Sequence, residues 1–392
     1  MKENLFLDIG YFQRKKRGQN ICGDAFKLQR VPEENRVVAV LSDGLGSGVK
    51  ANILSSMTAT MAVKFIAGNK EIIRSAEVMM GALPECKVRK ISYATFTIVD
   101  TTLDGVTRII EMGNPAFILA RGGHGVDMPP AKTIQSPKWK DRALSIYEFK
   151  AFPQDRIIFF SDGISQSGLG TQRFKLGWRN EGCREFVESE LAGNDGVSSH
   201  ELAVDIVKRA ISNEPGCTPH DDMSCAVIYF REPKKMLLFT GPPFAAERDE
   251  ECAKMVDSFS GQKVICGGTS AEIVSRVLGR ELKMDLRNIH DELPPSSMMD
   301  GVDLVTEGIF TLTRTARYLE QEVLSGNDDP AARLVDILLG NDIIEFLVGT
   351  RINEAHQDPR LPMDLELRRN IVKRIADALK NKYLKEVNIR YV

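Results

Sequence analysis

Short apolar runs rich in β-branched and aromatic residues succeed one another through the first ~230 residues: LFLDIGYF, DAFKLQR, RVVAVLSD, SYATFTIVDTT, GVTRIIEMG, AFILARG, SIYEFKA, DRIIFFSD and MSCAVIYF. Each is bounded by Gly, Pro, Asn or Asp, and runs of this kind predict β-strands. Between them, VKANILSSMTATMAVKFIAG, KEIIRSAEVMMGAL and ELAVDIVKRAIS repeat apolar residues at three- and four-residue spacings and predict packed helices. The three strands between Ser92 and Arg121 follow directly on one another. That requires antiparallel pairing, because a parallel pair needs a crossover long enough for a helix. The pattern predicts an α+β half in which two antiparallel sheets are sandwiched between helices.

The rhythm changes at REPKK (231–235), a polar turn containing Pro233. Beyond it MLLFTGPP, ERDEECAKMVDSFS, KVICGGTS, AEIVSRVLG, LKMDL and VDLVTEG alternate strand and helix, which predicts a smaller α/β domain of Rossmann-like type with a largely parallel sheet. Two further helices near Leu319 and Pro330, the strand IIEFLVGT, a basic helix around 368–382 and the strand EVNIRYV complete it. The expected domains are 1–233 and 234–392.

Composition narrows the field by exclusion. The 392 residues carry a formal net charge of −2, so there is no basic footprint for nucleic acid or an anionic membrane, and the short KKR at 15–17 is too small to make one. No apolar run approaches the ~20 residues of a membrane span, and MKENLFLDIG lacks the apolar core of a secretory signal. A cytoplasmic protein is expected. Seven scattered cysteines without a CxxC pair suggest reduced thiols and no zinc site or disulfide framework.

Candidate chemistry lies in acidic residues at strand ends. Asp24 stands in CGDAF, Asp43 closes RVVAVLSD before GLGSG, Asp162 closes DRIIFFSD before Gly163, and Asp221 and Asp222 precede MSCAVIYF. Carboxylates far apart in sequence can converge above a sheet, and a convergent set holds hard divalent cations. For GLGSG a nucleotide-cradling turn is an alternative reading, as is a simple strand-end cap. The third glycine of GxGxxG is missing, and a carboxylate beside a phosphate is repulsive unless a cation lies between them. One Asp-Gly turn is weak evidence, since it is favoured anywhere. Two such turns together with GD and DDMS form a specific combination.

In that order and spacing, residues 5–231 resemble the metal-dependent protein phosphatases of the PPM type, and within them the bacterial stage II sporulation protein E (SpoIIE) branch. The resemblance implies a protein serine/threonine phosphatase that uses two Mn²⁺ or Mg²⁺ ions, with a third ion as an option, to activate water. It implies metal-binding and catalytic roles for Asp24, Asp43, Asp162 and Asp221, with Gly44 contributing its backbone carbonyl. Asp222 stands where many relatives have Asn, which makes it a supporting group or a plain turn residue. The implied substrate is a phosphoserine or phosphothreonine on a signalling protein, such as an anti-sigma-factor antagonist, and the phosphatase half is a candidate homodimer. By the same analogy, the segment 44–68 is a switch that positions a metal ligand. Its Met57, Met61 and Val63 read as core residues.

Two departures stand out. The eukaryotic branch has a histidine after its Asp-Gly, where this chain has Leu45, and an arginine shortly before the first aspartate, a place for which Arg17 and Lys15 are candidates. Both also read as members of a solvated charge cluster. His220 is a candidate acid, with an ordinary turn histidine as the plainer reading. In the second half, Gly267, Gly268, Thr269 and Ser270 form a strand-to-helix turn suited to an anion, against the plainer reading of a tight turn. Glu307 and His356 read as structural. The rival functions are a weakly active regulatory or adaptor protein whose C-terminal domain binds a metabolite or partner, and a nucleotide-dependent oxidoreductase, which the GLGSG spacing disfavours.

Overall fold

The computed structural model describes residues 5–82, 94–135, 143–284, 294–321, 329–351, 362–383 and 385–392. The chain divides into two compact units, Met1–Glu232 and Pro233–Val392. Among the described residues no helix is long and apolar enough to cross a membrane.

The first unit runs β1 (Phe6–Arg14), β2 (Ala25–Val31), β3 (Arg36–Gly44), α1 (Val49–Ala67), α2 (Ile72–Ala82), β4 (Ala94–Thr102), β5 (Val106–Met112), β6 (Ile118–Arg121) and β7 (His124–Val126). It continues through β8 (Lys132–Gln135), β9 (Ala143–Lys150), β10 (Arg156–Phe160), α3 (Asp162–Ser165), α4 (Arg179–Gly193), α5 (Ser199–Asn213) and β11 (Met223–Arg231). Two sheets result, in the orders β1-β11-β10-β6-β7 and β2-β3-β4-β5-β9-β8. All of their strand pairs are antiparallel.

Strand alternation explains the four layers. On β3, Val38 and Val40 face α1, while Val37, Ala39 and Leu41 face the opposite sheet. On β11, Cys225 and Val227 pack against the α4 and α5 side, whereas Ala226, Ile228 and Phe230 enter the core between the sheets. Strands buried on both faces need continuous apolar runs, and these two have them. The expected α+β sandwich is the one observed. Helix α5 starts on a capping box, in which the Ser198 hydroxyl and the Glu201 carboxylate satisfy each other's backbone amides.

The second unit comprises β12 (Lys235–Thr240), α6 (Asp249–Ser258), β13 (Gln262–Cys266), α7 (Gly268–Leu278), β14 (Lys283–Met284), β15 (Ser297–Met299), β16 (Val302–Thr306), α8 (Ile309–Gln321), α9 (Pro330–Gly340), β17 (Ile343–Val348), α10 (Pro362–Asn381) and β18 (Glu386–Tyr391). Its sheet order is β14-β15-β16-β13-β12-β17-β18. The pairs from β16 to β18 are parallel, and the β14-β15-β16 edge is antiparallel. The largely parallel α/β architecture is as expected, with an antiparallel edge that the apolar pattern did not reveal.

Candidate metal centre

Three close approaches, each needing glycine, bring the acidic strand ends together. A Cβ on Gly44 would stand 2.0 Å from the Ala51 carbonyl oxygen, so glycine lets α1 pass directly over the end of β3. A Cβ on Gly163 would meet the Asp222 carbonyl at 2.1 Å, and one on Gly23 would meet Asp222 Oδ2 at 2.7 Å. The glycines of GD, DG and SDG therefore serve packing around the carboxylates. Helix α1 also fixes the first loop, since Asn52 Nδ2 donates to the Cys22 carbonyl at 2.9 Å and Ser55 Oγ donates to that of Gly23 at 2.5 Å.

Asp24 is 2% exposed, and neither of its carboxylate oxygens has a hydrogen-bond partner among the described residues. Burial pushes its pKa up to about 7. The Ser224 and Ser161 hydroxyls moderate the rise, and Asp222 and Asp162 add to it. Those hydroxyls lie close, but neither reaches hydrogen-bonding geometry with Asp24, so their help is weak. Asp43 is pushed up to about 10, first by burial, then by the charges of Asp24 and Asp162, with Asp162 within hydrogen-bonding reach and Asp221 contributing last. Such a rise marks carboxylates removed from water without a compensating charge. Asp162, the first residue of α3, accepts from Gln166 Nε2 at 2.9 Å. Asp221 is also raised, chiefly by burial, and lies 3.9 Å from Lys16 Nζ.

The DD pair divides unequally. Asp222 is 4% exposed, with Oδ1 accepting from the Lys16 backbone amide at 2.9 Å and Oδ2 buried without a partner, whereas the Asp221 side chain is 45% exposed. Asp222 is thus an interior group of the cluster and not a solvated turn residue. The sequence signal was Gly23, whose missing side chain makes room for it. Lys16 was also missed: it stands between the two cations singled out from sequence, while Lys15 Nζ reaches only the Asn20 carbonyl at 3.5 Å and Arg17 donates its backbone amide to Pro219. His220 is 67% exposed in its side chain, with Nδ1 2.7 Å from Glu214 Oε2. Met57, read as core from sequence, is 41% exposed, whereas Val63 is buried and Met61 packs against the core.

The five aspartates are thus electrostatic neighbours drawn from four chain segments. Among the described residues no three His, Cys, Asp or Glu side chains form a ready-made metal cage. The orphaned oxygens of Asp24 and Asp222 and the raised Asp43 nonetheless fit a hard cation, because oxygen-only donors of this charge suit Mg²⁺ or Mn²⁺.

In the second unit, Gly267 is the N-cap of α7 and Glu307 lies at the β16–α8 turn, where its Oε2 accepts from the Phe310 amide at 3.2 Å. His356 lies outside the described residues.

No curated protein sequence matches the chain. Among solved structures, the phosphatase domain of Bacillus subtilis SpoIIE with a fragment of its regulatory domain is 17% identical, with 58% of this chain and 63% of that one covered and a TM-score of 0.46. This chain therefore spans less than two thirds of that structure. The RsbU and RsbW domains of a Mycobacterium tuberculosis protein are 16% identical over 71% of this chain and 72% of theirs, with a TM-score of 0.47. RsbX in complex with magnesium is 18% identical over 57% and 95%, with a TM-score of 0.40. Likenesses this distant say nothing about substrate. The family model for stage II sporulation protein E matches residues 33–231, just over half of the chain and most of the first unit. The chain belongs to the SpoIIE family of PPM-type phosphatases.

Proposed function

We propose that the first unit is a divalent-cation-dependent protein serine/threonine phosphatase acting on a phosphoserine or phosphothreonine of a signalling protein. One observation carries this reading: Asp24 is buried with both oxygens unpartnered, beside an Asp43 pushed up to about 10. Burying unpartnered carboxylates is costly, and a cation removes that cost. Asp24, Asp43, Asp162 and the Asp221/Asp222 pair would hold two Mn²⁺ or Mg²⁺ ions, with the Gly44 carbonyl as a further oxygen donor. Such ions, when bound, make water a strong nucleophile near neutral pH and neutralise charge on phosphoryl oxygens.

The chain's own residues do the rest by position. Burial and the neighbouring Asp24 charge favour the protonated form of the Asp43 carboxyl, and a bound cation would displace that proton. Lys16, beside Asp221, supplies a cationic rim for a substrate phosphate. Leu45 can donate no proton, so solvent protonates the leaving serine oxygen. Along α1, Val49, Ile53 and Met57 are exposed at four-residue spacing, a surface through which a second copy or a regulatory partner would bear on Gly44. The second unit is assigned a sensing or scaffolding role, and the location is cytoplasmic.

The test is Mn²⁺-dependent hydrolysis of p-nitrophenyl phosphate and of a phosphoserine protein by wild type and Asp43→Asn. Wild type should turn over both, and the variant should lose on the order of 10³-fold. No activity in either protein would overturn the enzymatic reading and favour an adaptor, and equal rates in the two would overturn the role given to Asp43.

A further inference from the structure

In the second unit the five parallel strands are ordered β16-β13-β12-β17-β18, so the chain reverses direction between β12 and β17. Ligands of α/β folds usually enter at that crevice. Here it is filled. A Cβ on Gly349 would stand 2.1 Å from the Pro242 carbonyl oxygen and 2.2 Å from that of Gly241, and the Phe244 and Thr350 amides both donate to the Val392 carbonyl.

One strand over, β13 ends in Cys266-Gly267-Gly268 and enters α7, a helix of eleven residues with no side-chain cap and no acidic residue in its first turn. The Gly267 amide donates to the Thr306 carbonyl at 2.9 Å, and the next amide with a backbone acceptor is that of Ala271, which donates to the Gly267 carbonyl. Among the described residues the amides of Gly268, Thr269 and Ser270 find no backbone acceptor. An uncapped helix N-terminus favours an anion, but alone it defines no site.

Ser270 supplies the independent observation. Its side chain is fully buried, yet its hydroxyl has no hydrogen-bond partner among the described residues. That hydroxyl is the sole atom within 4 Å of where a Cβ on Gly267 would stand, at 3.6 Å, so it faces the space at the helix start. A Cβ on Gly268 would meet nothing within 4 Å. Three other helices beside this sheet are served differently. Acidic residues fill the first turn of α6, Glu307 accepts from the Phe310 amide at α8, and Asp329 caps α9 through the Ala332 amide.

We propose that the Gly267–Ser270 turn binds a phosphate group, either free or carried by a small metabolite such as a nucleotide. The α7 amides and the Ser270 hydroxyl donate to the phosphate oxygens, which satisfies a buried hydroxyl that otherwise lacks an acceptor. Gly267 and Gly268 leave room for the group to approach the backbone. This site is independent of the carboxylates of the first unit and gives the second unit a ligand-responsive role.

The experiment is isothermal titration of the full-length protein in EDTA, with inorganic phosphate and adenosine 5′-diphosphate as probes. Wild type and Asp43→Asn should bind alike. Gly268→Asp places a carboxylate in the open space, where it complements the helix terminus and preserves folding, and it should weaken binding at least about tenfold. Ser270→Ala, which removes only the hydroxyl, should weaken it about three- to tenfold. Adenosine diphosphate binding at least about tenfold tighter than phosphate would identify a nucleotide ligand, and equal affinities would identify phosphate itself. The proposal is overturned if neither probe saturates the wild type below about 10 mM, or if both variants bind as wild type does.

Discussion

At the end of β3 the chain runs Asp43-Gly44-Leu45-Gly46-Ser47-Gly48 into α1, and at the end of β13 it runs Cys266-Gly267-Gly268 into α7. Both are strand, glycine-rich turn and helix. In the first, the strand ends in a carboxylate, and α1 passes so close that Gly44 has no room for a side chain. In the second, the strand ends in a buried thiol, the glycines face open space, and a fully buried hydroxyl waits beside free amides. On the proposed readings, the same local grammar serves opposite charges. A glycine-rich turn becomes specific only through the residue that precedes it and the atoms packed against it.

The largest expected effect separates the two turns by chemistry. Asp43→Asn should cost on the order of 10³ in turnover, about 4 kcal/mol of transition-state stabilisation, while phosphate binding at α7 is untouched. Steady-state kinetics and titration on one preparation check both halves. Next comes packing. Gly44→Ala forces a Cβ to within 2.0 Å of the Ala51 carbonyl and should destabilise the first unit by about 3 kcal/mol or more, whereas Gly268→Ala should change stability by less than about 1 kcal/mol. Chemical denaturation that found equal effects would erase the distinction between a crowded and an open turn. Divalent cations sharpen it further: Mn²⁺ at ~100-fold its dissociation constant should raise the stability of the first unit by about 2.7 kcal/mol and leave the second unit unchanged. Differential scanning calorimetry with and without EDTA reads this directly.

A smaller effect probes burial without cations. Glu111 is 6% exposed and accepts the Phe117 amide at 2.9 Å, and burial pushes its pKa from 4.5 up to about 7. Between those values the folded state keeps a proton that the unfolded chain releases, so stability falls as pH rises through that window and is lowest above it. Glu111→Gln should therefore gain on the order of 2–3 kcal/mol at pH 8 and almost nothing below pH 4.5. Denaturation midpoints at the two pH values check the sign.

The doubly buried strands were the legible part of the fold. Runs such as RVVAVLSD and MSCAVIYF became β3 and β11 because both faces of each are packed and their central positions are apolar or small. The edge strands β7 and β8, with mostly exposed or half-buried residues, carried no such signal. Helix α4 was also missed, because only Cys183, Val187 and Leu191 are buried in an otherwise charged segment. At the candidate centre, sequence order singled out the acidic residues. It could not show that Asp222 is interior and Asp221 open, because that depends on Gly23 and on the Lys16 amide, some 200 residues away in the chain. Ser161 and Ser224, close to Asp24, look like ordinary strand-end residues until β10 and β11 are paired.

The most direct measurement is anomalous difference density from crystals of the protein grown with Mn²⁺. The account predicts peaks bounded by the carboxylates of Asp24, Asp43 and Asp162, with the last ligand resolved as Asp221 or Asp222. Crystals of active protein that hold Mn²⁺ elsewhere, with no peak at those carboxylates, would contradict it.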